Sequence, residues 1–239
     1  MRRILPFFTA AAVSLTVVPN AWAHARPVTT DPAANARLDA APGRVMITYD
    51  QAIEASGSSI QILDAGGNPV ATTPDPPETA TLGSVTLPDG LAPGPYTVAW
   101  TSRASEDGHE ARGFYTFVVN GGPVGVVSGW AQAQAPAADL NATLTVSQAE
   151  DGGSLLRVDL DNPAGVERVR VRLERPDLGS SLLTLEPLAD GGWALTGNEV
   201  AVAGTWHAAI IVRRQNVFDD AEAAFDFAVD PSTGQPQFL

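Results

Sequence analysis

Chemistry has few places to reside in this chain. It holds three histidines, two methionines and no cysteine. One histidine sits in Ser105-Glu106-Asp107-Gly108-His109. In extended backbone, residues two apart project to the same side, so Asp107 and His109 aim a carboxylate and an imidazole at a common point. Gly108 between them leaves that face clear. Taken alone, the pair reads more readily as a surface turn than as a pair of ligands. His24 acquires meaning from what precedes it. Arg2-Arg3, the apolar run Ile4 to Val18 and the small residues Ala21 and Ala23 have the layout of a secretory leader with an Ala-x-Ala cleavage site. Cutting after Ala23 makes His24 the first residue of an exported protein, so one residue offers both its α-amine and its ring Nδ1.

Together these groups make three nitrogens and one carboxylate oxygen: the amine and ring of His24, Asp107, and the ring of His109. Such a set suits one tetragonal Cu(II) ion, which also heads the divalent affinity order. Zinc takes the same donors but prefers them tetrahedral. Cu(I) wants thiolate or thioether, and Met46 is the one methionine beyond the leader. Met46 lies between Val45 and Ile47 and points to the opposite face of their strand. His207 has no partner histidine in its half of the chain and reads as structural or surface.

The elements that must position these groups are strands. Val45, Ile47 and Tyr49 alternate, as do Ile60 and Ile62, then Tyr96, Val98 and Trp100, then Tyr115, Phe117 and Val119. Period-2 patterning with Gly/Pro turns at close spacing predicts an antiparallel sandwich or barrel. From Asn120 to Asp139 the composition turns to Gly, Pro, Ala and Gln, which reads as a linker. Alternation resumes in Ala142, Leu144 and Val146, in Leu156, Val158 and Leu160, and in Val169, Val171 and Leu173. Arg168, Arg170 and Arg172 interleave with that last set, which predicts a solvated sheet face and not an anion site. The segment Gly94 to Val98 is echoed by Gly204 to Ala208, and Phe114 to Val119 by Ala224 to Val229. The expected fold is all-β: two immunoglobulin-like sandwiches. The boundaries are a leader at 1–23, a first domain at 24–119, a flexible linker at 120–139 and a second domain at 140–239, with the domains moving independently.

Charge narrows the function classes. The 14 basic residues face 27 acidic ones, for a formal net charge of −13, and loss of Arg2 and Arg3 makes the mature chain more negative still. That argues strongly against nucleic acid and an anionic membrane surface as partners. After the leader, no apolar stretch nears the roughly 20 residues of a membrane span, so the mature chain reads as soluble.

Several motifs in order carry a family resemblance: His24-Ala25, Asp31-Pro32-Ala33, the Pro42 to Tyr49 strand, Leu91-x-x-Gly94-x-Tyr96-x-Val98-x-Trp100, Ser105-x-Asp107-Gly108-His109, and Gly113-x-Tyr115-x-Phe117-x-Val119. Over residues 24 to 119 the chain resembles CopC, a family of periplasmic copper-binding proteins. The resemblance implies a Greek-key sandwich that holds Cu(II) through residues matching His24, Asp107 and His109. It also implies a role in copper homeostasis or resistance, with the metal passed to a CopD-like inner-membrane transporter. Two features depart from the family. The methionine-rich segment of some members is absent, which predicts a Cu(II)-only protein. Where some members have a metal-approaching glutamate, this chain has Asp50-Gln51, and Gln51 is left out of the ligand set. Residues 140 to 230 more loosely resemble the YtkA-like domain, through Gly204-x-Trp206 and the Val212-Arg213-Arg214 strand end. Asp219 and Asp220 occupy the loop that matches the copper loop, without a histidine, so no copper site is expected there.

Two rival readings follow from the same residues. One is a copper oxidase of the histidine-brace kind acting on polysaccharide, which the small domain, the core parity of its aromatics and the carboxylate argue against. The other is an immunoglobulin-like interaction protein without a metal. The expected function is a non-enzymatic, periplasmic Cu(II) carrier.

Overall fold

The structure, a computed structural model, describes residues 24–76, 78–120, 127–149 and 153–239. The leader expected at 1–23 lies outside these residues. Strands dominate, and among the described residues the only helical element is a single 3-10 turn at Ala55–Gly57.

The first sandwich has two four-stranded sheets. One is ordered β1 (Pro27–Asp31), β3 (Arg44–Tyr49), β6 (Leu82–Thr86), β5 (Thr73–Pro74); the other runs β2 (Ala36–Leu38), β8 (Glu110–Val119), β7 (Gly94–Arg103), β4 (Ser59–Leu63). All pairings are antiparallel except β2 with β8. The alternating residues do what their spacing predicts. Val45, Ile47, Tyr49, Ile62, Tyr96, Val98, Tyr115, Phe117 and Val119 form one buried core between the sheets.

The second half is a nine-stranded ladder of β9 (Val127–Ala137), β10 (Leu140–Ala149), β11 (Ser154–Leu160), β12 (Val166–Arg175), β13 (Gly179–Pro187), β14 (Trp193–Gly197), β15 (Gly204–Arg214), β16 (Ala221–Val229) and β17 (Pro236–Phe238). Its order is β17-β16-β15-β12-β13-β14-β11-β10-β9. Strand β13 makes it two layers. Its Gly179 to Leu185 stretch pairs with β12, and Glu186 and Pro187 pair with β14. Leu144, Leu156 and Val158 then meet Val171, Ile210 and Phe225 in a common core. The arginines between Val169 and Leu173 lie on the outer face and pair across strands, Arg170 with Asp220 at 3.2 Å and Arg172 with Glu222 at 3.9 Å.

The linker expectation is corrected. Residues 127–137 are the outermost strand, paired with β10 along its length. Ala131, Ala133, Ala135 and Ala137 turn inward while Trp130, Gln132 and Gln134 face out. Small inward residues hid a period-2 strand behind a linker-like composition. Pro136 is tolerated because an edge strand leaves one side of its backbone unpaired.

The expectation of independently moving domains is corrected as well. On β7 and β8 the faces that turn away from the first core are also buried: Thr97 and Val118 are 0% exposed, Thr116 1%, Phe114 4% and Ala99 8%. Leu63, Ala99 and Phe114 belong to the core of the second sandwich, with Val200, Val202 and Trp206. The Phe114 and Trp206 rings lie 5.3 Å apart, tilted. Ser181 Oγ donates to the Phe114 carbonyl at 2.6 Å, and the Ala203 amide to the Ala65 carbonyl at 3.3 Å. Gly113 is required at this close approach, since a Cβ there would stand 2.6 Å from Trp100 Cζ2 and 3.0 Å from the Ser180 carbonyl oxygen. Sheet β2-β8-β7-β4 is thus the middle layer of a stack and not an outer wall.

A buried polar knot closes the same seam. Asn35 Nδ2 donates to Glu199 Oε1, and Asn35 Oδ1 accepts from Thr116 Oγ at 3.1 Å and from the Asn198 amide at 3.3 Å. Glu199 is 4% exposed, and this burial pushes its pKa up. The folded chain therefore holds that proton more tightly than the unfolded chain does. Its contribution favours folding at low pH and is lost as pH rises from the ordinary carboxylate value through the raised one. Glu199→Gln keeps an oxygen for Asn35 and removes the buried charge. It is expected to raise the melting temperature at pH 8 and to leave it nearly unchanged at pH 4, as read by scanning calorimetry at both.

Candidate metal centre

The predicted residues meet at one end of the first sandwich, where β7 turns into β8. The turn is closed from both sides, by the Ala104 amide on the His109 carbonyl and the Gly108 amide on the Ala104 carbonyl, each at 2.9 Å. Gly108 has φ +74, and Arg103 packs against the space a side chain would fill. This left-handed conformation is what glycine supplies cheaply.

Within the turn, both oxygens of Asp107 serve His109. Oδ2 lies 2.8 Å from His109 Nδ1, and Oδ1 accepts from the His109 amide at 3.1 Å. The amide bond, followed by the ring, holds the Asp107 carboxyl below its usual range, and the nearby His24 ring adds to this. A carboxylate on Nδ1 fixes the ring orientation and leaves Nε2 outside that contact, an arrangement common among metal-binding histidines.

His24 arrives from the other side of the sandwich. Its ring centre lies 5.6 Å from that of His109, with the planes tilted by 55°. An ion about 2.0 Å from a ring nitrogen sits roughly 3.2 Å from that ring's centre, so two rings on one ion stand at most about 6.4 Å apart. The observed spacing fits a shared ion. Among the described residues, no group of three His, Asp or Glu side chains is already closed to ligating distance. Asp107 is committed to His109, and the remaining donor is the α-amine, which exists only once the chain begins at His24.

Gln51, excluded from the ligand set, instead donates through Nε2 to the His24 carbonyl at 3.4 Å. Met46 is half-buried on β3. His207 stands in the second sandwich on β15, between Glu174 and Asp226 on the neighbouring strands, with Nδ1 2.8 Å from Asp226 Oδ1. Sequence reasoning missed the groups that hold the first residues in place. Ala25 is fully buried, and its carbonyl accepts from buried Ser102 Oγ at 2.5 Å.

Comparison with known proteins bears on the first half of the chain. The CopC domain model matches residues 27–120, a stretch that includes Asp107 and His109 and begins three residues after His24. Protein YobA of Escherichia coli K12 is 34% identical over 119 residues, which are 49% of this chain and 95% of that protein. YobA of Shigella flexneri gives the same figures. Among solved structures, CopC from Methylosinus trichosporium OB3b is 31% identical, covering 41% of this chain and 94% of that one with a TM-score of 0.38. PcoC, a methionine rich copper resistance protein from Escherichia coli, is 25% identical, covering 41% and 99%, also with a TM-score of 0.38. With the domain match across its first sandwich and a relative that it spans almost end to end, this chain belongs to the CopC family.

Proposed function

We propose that the mature chain is a Cu(II)-binding protein of the periplasm that captures one ion at His24, Asp107 and His109. The observation that carries this reading is the meeting of the His24 and His109 rings at 5.6 Å beside a carboxylate held ionised by its neighbours. Capture then proceeds by ligand exchange. The ion enters between the two rings, the His24 amine loses its proton and coordinates, and Asp107 turns one oxygen from His109 to the metal. The other oxygen stays on the His109 amide and keeps the loop closed. Because nitrogens must be deprotonated to coordinate, affinity falls on acidification.

The protein acts as a carrier and not an enzyme, serving copper homeostasis or resistance. Its charged carboxylate donor offsets the metal's positive charge and favours holding the ion over oxygen chemistry. Release is to a membrane transporter of the CopD kind. The second sandwich is read as a YtkA-like domain that carries no copper.

The deciding experiment is intact mass of the exported protein followed by Cu(II) titration of wild type, His24→Ala and His109→Ala. The expected result is a first residue of His24, one tight equivalent with a visible d–d band, and loss of tight binding in both variants. Wild-type titration with no tight equivalent overturns the proposal.

A further inference from the structure

A residue at the start of a chain is ordinarily frayed, because nothing precedes it to hold it. A ligand there loses much of its chelating advantage unless its backbone is tied down. In this chain the three residues that follow the cut are tied at every step. The His24 carbonyl accepts from Gln51 Nε2 at 3.4 Å. The Ala25 methyl is buried in the first core, 0% exposed, among Tyr49, Ala104 and their neighbours. The Ala25 carbonyl accepts from Ser102 Oγ at 2.5 Å. The Arg26 amide donates to Asp50 Oδ1 at 2.7 Å, and the Arg26 carbonyl accepts from the Asp50 amide at 3.0 Å.

Ser102 is the informative member of this set. It is fully buried, lies near the end of β7, and leads directly into the turn that carries Asp107 and His109. One hairpin therefore supplies two ligand side chains at its tip and, five residues earlier, the hydroxyl that grips the segment bearing the third. The hairpin therefore links the two halves of the site directly through Ser102, beside the ties that Asp50 and Gln51 make from the end of β3.

We infer that Ser102 is a positioning residue for the metal centre: its hydroxyl, with the buried Ala25, holds the mature N-terminus so that His24 meets the Asp107–His109 turn. The inference rests on the reading that His24 ligates the metal.

Ser102→Ala, in the full-length exported protein, is expected to weaken Cu(II) binding by about 10- to 100-fold, the range seen when a group supporting a ligand is removed. Its copper EPR spectrum should shift toward a weaker nitrogen donor set. In the metal-free protein, nitrogen-15 relaxation should show the Ala25 and Arg26 amides freed. Ile47→Val, a core substitution in the same domain, should leave affinity and spectrum unchanged. Ala25→Gly loosens the same segment without touching the hairpin and should move affinity in the same direction, which keeps the question answerable if Ser102→Ala fails to fold. Wild-type affinity and an ordered N-terminus in Ser102→Ala overturn the positioning role. If His24→Ala also binds like wild type, it is the metal-centre reading itself that fails. Equal losses in Ser102→Ala and Ile47→Val reduce Ser102 to a stabilising residue and overturn the inference.

Discussion

A protein that retains Ala23 ahead of His24 is expected to lose copper affinity by more than the roughly 100-fold that removal of a supporting group costs. The change alters no side chain of the site. It converts the His24 nitrogen from an amine into an amide and moves the free amine one residue away. The new amine cannot close the same ring with Nδ1 of His24. The added residue must also leave a segment whose next member is buried and bonded to Ser102. The measurement is a competition titration with a Cu(II) chelator on two preparations, one starting at His24 and one at Ala23, each confirmed by mass. Equal affinities would show that the amine is not a ligand and would reduce the centre to two imidazoles and a carboxylate.

The second large effect is expected far from the metal. Trp206 is fully buried, donates from Nε1 to the Val202 carbonyl at 3.1 Å, packs with its ring tilted and 5.3 Å from that of Phe114, and carries the Arg175 guanidinium 5.0 Å above its ring. Trp206→Ala removes the largest side chain of the seam and should cost about 3–5 kcal/mol. Against a typical total of about 5–15 kcal/mol, this is a sizeable fraction. The melting temperature should fall by roughly 10 °C or more. Because Trp206 belongs to one sandwich and touches the other, the wild type should melt in one calorimetric transition and the variant in two. Two separate transitions in the wild type would mean that the seam does not couple the halves.

The legibility of the chain divides along physical lines. The first core was readable because each strand shows one apolar face to it, and a two-residue period survives any detail of packing. The turn at Asp107 was readable because its chemistry is local: two side chains and a glycine within three residues. The seam was not. Phe114, Thr116 and Val118 occupy the opposite parity from the core-facing set, where polar residues are expected, and nothing local says that a second sandwich covers them. Strand β9 was missed because alanine is a weak apolar signal and Gly, Pro and Gln are linker residues. Ser102 and Ala25 were missed for a third reason. Small residues that hold a backbone carry no signature until the fold brings residues 77 positions apart into contact.

The buried outer face of β7 and β8 also bears on inheritance. A domain that meets water on that face can be passed between genes as a free-standing module. Here Leu63, Ala99, Phe114 and Val118 would be bared by such a transfer, and the two halves must change in step or fail together. YobA has no room for a second sandwich, since the 119 matched residues already make up 95% of it. Gain or loss of the second half would require rewriting this face, on the same two strands that lead into the turn of Asp107 and His109.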